Sequence, residues 1–261
     1  MSGIDVNPGG PLRGRGALVT GVSRRQGIGF AVVSRLAGLG AAVFATGWSA
    51  HDAGQPWGAD PGIGAGLDEL RGHGPAIEYE EADLGDPDAP AAVVARAVDA
   101  LGHVDILVVN HARSGHGRLG SLSAEEIDAF LHENVRATLL LVQGFAAQHD
   151  GRAGGRVVLF TSGQHLSGMP AEVAYAVSKG AIQQATGTLA AELVPRGITV
   201  NCVNPGPTDT ANLPGDDPRP SMPLGRWGEP DDAARLVAWL CQDDARWITG
   251  QTIDSEGGFL R

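Results

Sequence analysis

Short apolar runs alternate with stretches of helical periodicity along most of this chain. After a loose, Gly-rich start over residues 1–15, expected to be flexible, positions 17–20 read as a strand that runs into a cluster of glycines. Residues 30–37 have helical spacing and stop at Gly38 and Gly40, and 41–46 form a second apolar run. Residues 47–62 mix Gly, Pro, Asp and Trp without a period and predict a long loop. Further strands are predicted over 77–82, 104–110, 156–161, 198–203 and 249–254. Helices are predicted over 91–101, 123–133, 135–149, 172–194 and 230–241. Strands that are apolar nearly throughout, with helices between them, predict a parallel sheet covered on both faces. No internal repeat or linker divides residues 16–261, so the expected fold class is α/β: a single-domain, doubly wound parallel sheet of about seven strands with helices on both faces. Ligands bind such sheets beyond the carboxyl ends of the strands. That rule selects Thr20, Gly21, Thr46, Asp83, Asn110, Ser162 and the run Asn204, Pro205, Gly206.

Composition narrows the function classes. A chain of 261 residues with 43% hydrophobic and 19% charged residues fits a globular protein with ample core. A net charge of -11 argues against nucleic acid and anionic membranes as partners. Cys202 and Cys241 are too few and too far apart to suggest a disulfide framework or a metal site, and no metal is expected. Without a signal-peptide pattern or an apolar run of membrane-spanning length, the expected location is the cytoplasm.

The first strand opens into Gly21, Ser23, Arg24, Arg25, Gly27, Ile28 and Gly29, and a helix follows. Glycines at such a turn let the backbone approach a pyrophosphate, whose charge the helix N-terminus stabilises. This makes the sheet one of Rossmann type; an ordinary strand-to-helix turn is the competing reading. A carboxylate ending the second strand would bind the adenosine ribose of NAD. Here that strand ends at Thr46, Gly47, Trp48 and Ser49, with no acid before Asp52. Arg24 and Arg25 offer guanidinium to a 2'-phosphate instead, so NADP(H) is the expected cofactor. Both could equally be solvated loop charges. Asp83 and Leu84 would meet the adenine, or Asp83 would only cap a helix.

Lys179 is the single lysine, four residues after Tyr175, one of two tyrosines; every other basic residue is arginine. Spacing of four puts both on one helix face. A phenol beside a fixed cation has its ionised form stabilised, so the expectation is a Tyr175 pKa lowered towards the range of a general acid. The bland alternative is a chance pair on a solvated face.

Taken together, the Gly-rich turn, Asp83, Asn110, Asn134, Ser162, the Tyr175/Lys179 pair and the Pro205-Gly206 dipeptide resemble the short-chain dehydrogenase/reductase family, over about residues 16–258. Within it the chain looks most like 3-oxoacyl-carrier-protein reductases and related ketoreductases, also in its ending (Ile248 to Gln251, Gly257-Gly258). The resemblance implies that Tyr175 is the general acid and that Lys179 lowers its pKa and holds the nicotinamide ribose. It implies that Ser162 orients the substrate oxygen and that Asn134 joins a proton relay. Arginine at 179 is expected to fail, because its wider fork cannot take the same point or relay a proton. Thr208 and Thr210 match the positions that meet the carboxamide and a phosphate, and Trp48, Asn110 and Ala112 fall beside the cofactor.

Several positions depart from the family pattern. Its usual Asn-Asn-Ala-Gly is Asn110-His111-Ala112-Arg113 here, which brings His111 near the pocket, as a tuning group or as a replacement for an amide. Gln164 and His165 would line the substrate side or remain on a loop surface. Leu140 and Ala191 stand where carrier-protein reductases place arginine, which with the net negative charge argues against an acyl carrier protein as partner. A coenzyme A thioester or a small ketone gains accordingly. The 47–62 loop would either fold over the adenosine or be an inert excursion, and residues 209–222 form the expected short, Pro-rich substrate lid. The implied activity is NADP(H)-dependent reduction of a ketone to a secondary alcohol. NAD-dependent alcohol oxidation and a non-catalytic NADP(H)-binding sensor or scaffold are the alternatives. A homotetramer or homodimer is expected, built through helices 135–149 and 172–194.

Overall fold

A computed structural model describes residues 10–72, 75–211 and 220–260. Seven parallel strands, β1 (Gly16–Thr20), β2 (Ala42–Gly47), β3 (Ile77–Glu81), β4 (Ile106–Val109), β5 (Gly155–Phe160), β6 (Ile198–Asn204) and β7 (Thr252–Asp254), form one sheet in the order β3-β2-β1-β4-β5-β6-β7. Between them run α1 (Ile28–Gly38), α2 (Ser49–Ala53), α3 (Ile63–Arg71), α4 (Ala89–Leu101), α5 (Ala124–Phe130), α6 (Ala137–Gln148), α7 (Val173–Leu193) and α8 (Pro230–Leu240).

Alternation along each strand divides the core into two layers. In β1, Ala17 and Val19 point to one face and pack with Val32, Val33 and Leu36 of α1 and Val237 of α8. Leu18 points to the other, among Val93 of α4, Leu141 and Phe145 of α6 and Ile182 of α7. Both sides of the strand are buried, which is why these segments read as continuous apolar runs. Strand order reverses between β1 and β4, and their carboxyl ends open a crevice at Gly21 and Asn110. Open α/β sheets bind ligands at such a switch point. Among the described residues, no helix is long and apolar enough to cross a membrane.

Three segments correct the sequence reading. The loose start does not extend through residues 10–15: Leu12 is buried in the core and its amide donates to the Leu39 carbonyl. One apolar side chain in a Gly-rich stretch suffices to tie it down, and it leaves no period to detect. The 47–62 loop contains α2, and α3 follows it unpredicted. Both are short helices, of 5 and 9 residues, and tertiary contacts hold them rather than propensity: Ser49 of α2 bonds Glu81, and Ile63 and Leu67 of α3 pack into the core. The helices expected at 123–133 and 135–149 join through a π-helical turn, Leu131–Arg136, that contains Asn134. Of the expected lid, residues 212–219 (with Pro214 and Pro218) lie outside the described residues.

Candidate active site

Gly21 has φ +74, where L side chains are strained, and a Cβ there would come within 2.7 Å of the His111 backbone. A Cβ on Gly29 would lie 2.4 Å from the Gly21 carbonyl oxygen. These two glycines therefore let the turn fold back onto α1 and let β4 approach it. Asn110 fixes the turn, its Nδ2 donating to the carbonyls of Thr20 (3.2 Å) and Gly21 (3.0 Å). Gly27 caps α1 without a side-chain bond, so the first-turn amides keep their donors for a ligand.

Around this turn lies a cleft of about 560 Å³. One end is bounded by Thr46, Gly47, Trp48, His51, Asp52 and Trp57, and Ser23, Arg24, Asp83 and Leu84 also line the cleft. Trp57 brings the 54–62 segment back against the cleft: its indole donates to Asp52 Oδ1 at 2.8 Å, and the Arg24 guanidinium stacks on its ring at 5.3 Å. Arg24 also donates to the Thr210 carbonyl at 2.9 Å. The structure separates the two arginines. Arg25 faces a neighbouring cavity, where Asp60 takes both its Nε (3.0 Å) and Nη2 (3.1 Å), holding Asp60 at a pKa of about 2. Of the acids near β2, Glu81 is committed, accepting from the Ser49 amide and hydroxyl and from Tyr79. Asp52 accepts from Trp57 through Oδ1, while its Oδ2 is buried without a hydrogen-bond partner among the described residues. Asp83 faces the cleft and also accepts from the Gly85 amide at 2.8 Å; the cap of α4 is Asp88. An uncapped helix N-terminus, two glycines at close approach and a guanidinium at the far end fit a dinucleotide.

At the other end Ser162, Tyr175 and Thr208 line the cleft, with Arg113, Met169 and Glu172 around them. Tyr175 and Lys179 share a face of α7, and Ser162 follows β5. The neighbouring Ser162 hydroxyl favours the ionised Tyr175 phenol, yet burial dominates and pushes its pKa up to about 12. This corrects the expected lowering. Lys179 Nζ donates to the Phe160 carbonyl at 3.2 Å and stands 5.8 Å from the phenol ring centre. Burial of the ammonium pulls its own pKa down to about 8. Desolvation favours the neutral form of both groups, and Tyr175 stays protonated, the form that can donate.

Asn134 is buried at the π-turn. Its Oδ1 accepts from the Arg113 amide at 2.7 Å, and its Nδ2 donates to the Arg113 carbonyl (3.0 Å) and to Ser178 Oγ (2.9 Å). Among the described residues it shares no hydrogen bond with Lys179. His111 has both ring nitrogens occupied. A carbonyl only accepts, so Nε2 donates to Glu133 O (3.0 Å) and Nδ1 accepts from the Thr20 hydroxyl (2.8 Å). Burial beside Lys179 lowers its pKa to about 4.

The expected substrate-side residues Gln164 and His165 turn away from the cleft. Gln164 bonds Thr161 and Gln183, and His165 spans the Ser162 carbonyl and Asp254 at 3.1 Å. A short 3-10 turn over 163–165 swings Gln164 towards α7 and His165 towards β7. Pro205 and Gly206 shape the turn after β6, and Pro207 and Thr208 face the cleft in their place. Trp57, His51 and Glu172 carried no motif signal. Only the position of Glu172, three before Tyr175, hinted at its placement.

Comparison with known proteins agrees with this geometry. A family model described as "Enoyl-(Acyl carrier protein) reductase" matches residues 21–260. The chain is 41% identical to the oxidoreductase YjdA of Bacillus subtilis, covering 94% of this chain and 96% of that one. It is 34% identical to human dehydrogenase/reductase SDR family member 4, covering 95% and 88%. Among solved structures it resembles a short chain dehydrogenase of Burkholderia cenocepacia in complex with NADP (37% identity, TM-score 0.84, 95% and 98% covered). It also resembles a blue fluorescent protein from a metagenomic library in complex with NADPH (35% identity, TM-score 0.85, 96% and 100% covered). With a switch-point cleft, a glycine turn for a dinucleotide and a Ser-Tyr-Lys set at its far end, the chain belongs to the short-chain dehydrogenase/reductase family and is an oxidoreductase of that type.

Proposed function

We propose that the protein is an NADP(H)-dependent carbonyl reductase that converts a ketone, a 3-oxoacyl thioester or a related small carbonyl compound, into a secondary alcohol. The observation that carries this reading is the convergence of Ser162 and Tyr175 on one end of the cleft, with Lys179 one helical turn further on. The bound nicotinamide supplies a hydride to the carbonyl carbon. Negative charge then develops on the carbonyl oxygen, and two preorganised hydroxyls stabilise it without reorganisation. Ser162 holds that oxygen, and Tyr175 gives it the phenolic proton, so that a new C–H and a new O–H bond complete the alcohol. The Lys179 ammonium steadies the phenolate until a proton returns. Asn134 acts by fixing the π-turn and the Arg113 backbone, and its part in the proton's return belongs to the same proposal.

Arg24 in the cleft, together with the commitment of Glu81 to protein donors, supports NADP(H) over NAD(H). The relatives solved with NADP and NADPH point the same way. The test is oxidation of NADPH by the purified protein across a panel of ketones. Tyr175→Phe is expected to lower kcat by about 10²–10⁴-fold while leaving NADPH bound. Turnover undiminished in that variant, or a higher kcat/KM with NADH, would overturn the assignment.

A further inference from the structure

Glu172 ends the loop that leads into α7 and precedes Tyr175 by about one helical turn. It lines the cleft with Ser162, Met169 and Tyr175. Its side chain is 30% exposed, and its ion-pair contact is His116 Nδ1 at 4.0 Å, on an imidazole that is 85% exposed. A solvent-exposed pair of that length contributes little, so the carboxylate keeps its acceptor capacity on the cleft side.

The backbone holds it there under strain. Ala171 has φ +73, which costs an L residue about 1–2 kcal/mol. The Gly117 amide donates to the Ala171 carbonyl at 2.6 Å, and the Val173 amide to Gly117 at 3.3 Å, clamping the residues on either side of Glu172.

Of the other charges at this end, Lys179 is directed at the Phe160 carbonyl, and Arg113 and Glu133 cancel each other. Arg113 pairs with Glu133 at 2.7 Å and lies 5.7 Å from the centre of the Phe130 ring, so its guanidinium is committed to a protein carboxylate. A substrate carboxylate would have to displace Glu133 from Arg113 and would face Glu172 as well.

We propose, on the basis of the reductase reading above, that Glu172 is a specificity-determining residue. It accepts a hydrogen bond from an ammonium or hydroxyl group carried a few bonds from the substrate carbonyl, so the preferred ketones bear such a donor and not a carboxylate. The spacing follows from the helix: Glu172 stands about 5 Å along α7 from the general acid, close enough for one small molecule to reach both.

The experiment compares aminoacetone, hydroxyacetone, butanone and acetoacetate as substrates of the full chain with NADPH. Aminoacetone and hydroxyacetone are expected to have the higher kcat/KM, acetoacetate the lowest. The aminoacetone-to-hydroxyacetone ratio tells an ammonium from a hydroxyl preference. In Glu172→Gln the aminoacetone-to-butanone ratio should fall by about 10-fold or more, the loss of a charge-assisted bond. Glu172→Asp keeps the charge and should retain most of the preference. Melting curves establish that both variants fold. An unchanged ratio in Glu172→Gln, or acetoacetate as the best substrate, would leave the carboxylate a partner of His116 only and would overturn the proposal. If no ketone of a wide panel is reduced, the reductase reading itself fails. Calorimetric binding of 1-amino-2-propanol and 2-butanol to the NADP-loaded protein then still decides whether Glu172 selects an amine.

Discussion

The Tyr175 phenol and the Lys179 ammonium are both held towards their neutral forms by burial, at about 12 and about 8. His111 follows the same physics with a different use. Its pKa of about 4 against an ordinary 6.5 means that the unfolded chain binds a proton the folded chain refuses between those values. Its contribution is therefore complete above pH 6.5 and is lost as pH falls through 4. The shift sets an upper limit of about 3 kcal/mol. Asp60 and Asp231, held near 2 by Arg25 and Arg35, lose their contribution below the ordinary aspartate value of 3.8, outside that window. His111→Asn should cost about 1–2 kcal/mol at pH 7, through one lost ring bond. It should also flatten the decline in stability between pH 6.5 and 4. Urea denaturation at a series of pH values measures both, and an acid limb as steep as the parent's would refute the role given to the imidazole.

Among the elements, the segment between β2 and α3 brings the larger surprise. Read as composition it is only a Gly- and Pro-rich stretch. In the fold, Asp60 closes it onto Arg25, and Gly62 and Gly66 lie so close that a Cβ on either would strike the Arg25 side chain. Trp57 is thereby set against the cleft, with Arg24 stacked upon it. The two adjacent arginines thus do different work, and calorimetry with both cofactors separates them. Arg24→Ala should weaken NADPH by about 10- to 100-fold, the loss of a charge-assisted bond to phosphate, with a much smaller effect on NADH. Arg25→Ala should loosen the loop and weaken the two cofactors alike. Equal selectivity losses in both variants would show that Arg24 does not read the 2'-phosphate. No spacing rule announces a clasp like this one, because Arg25 and Asp60 are 35 residues apart and meet only when β1, α1 and α3 pack.

At the scale of the whole molecule, α6 and α7 each leave a large apolar side chain in water, Leu139 (42% exposed) and Val177 (58%). We propose that these helices pair with copies of the chain in a homotetramer or homodimer. Light scattering should return the mass of four or two chains, and Val177→Glu should shift it towards one; a monomeric parent protein would dismiss the idea. We propose that the net charge of -11 also acts at this scale, by discouraging anionic partners.

What the sequence determined by itself is what local chemistry and periodicity encode. The β-α alternation came from apolar runs buried on both faces, the ligand edge from the carboxyl ends of those strands, the Tyr175/Lys179 pair from helical spacing and a single lysine, and the parts of Asn134 and Ser162 from the family resemblance alone. Gly21 was legible because a tight turn that brings the backbone close to a pyrophosphate needs glycine. The tertiary structure alone decided the rest, since it depends on distance and dielectric rather than on spacing. It turned Gln164 and His165 away, committed Arg25 to Asp60, filled both nitrogens of His111 and set Glu172 in the cleft beside Tyr175. It also reversed the expected shift of Tyr175. A cation four residues along a helix would lower the phenol's pKa in proportion to its nearness, but the chain buries both groups and directs Lys179 at the Phe160 carbonyl, so desolvation outweighs the charge.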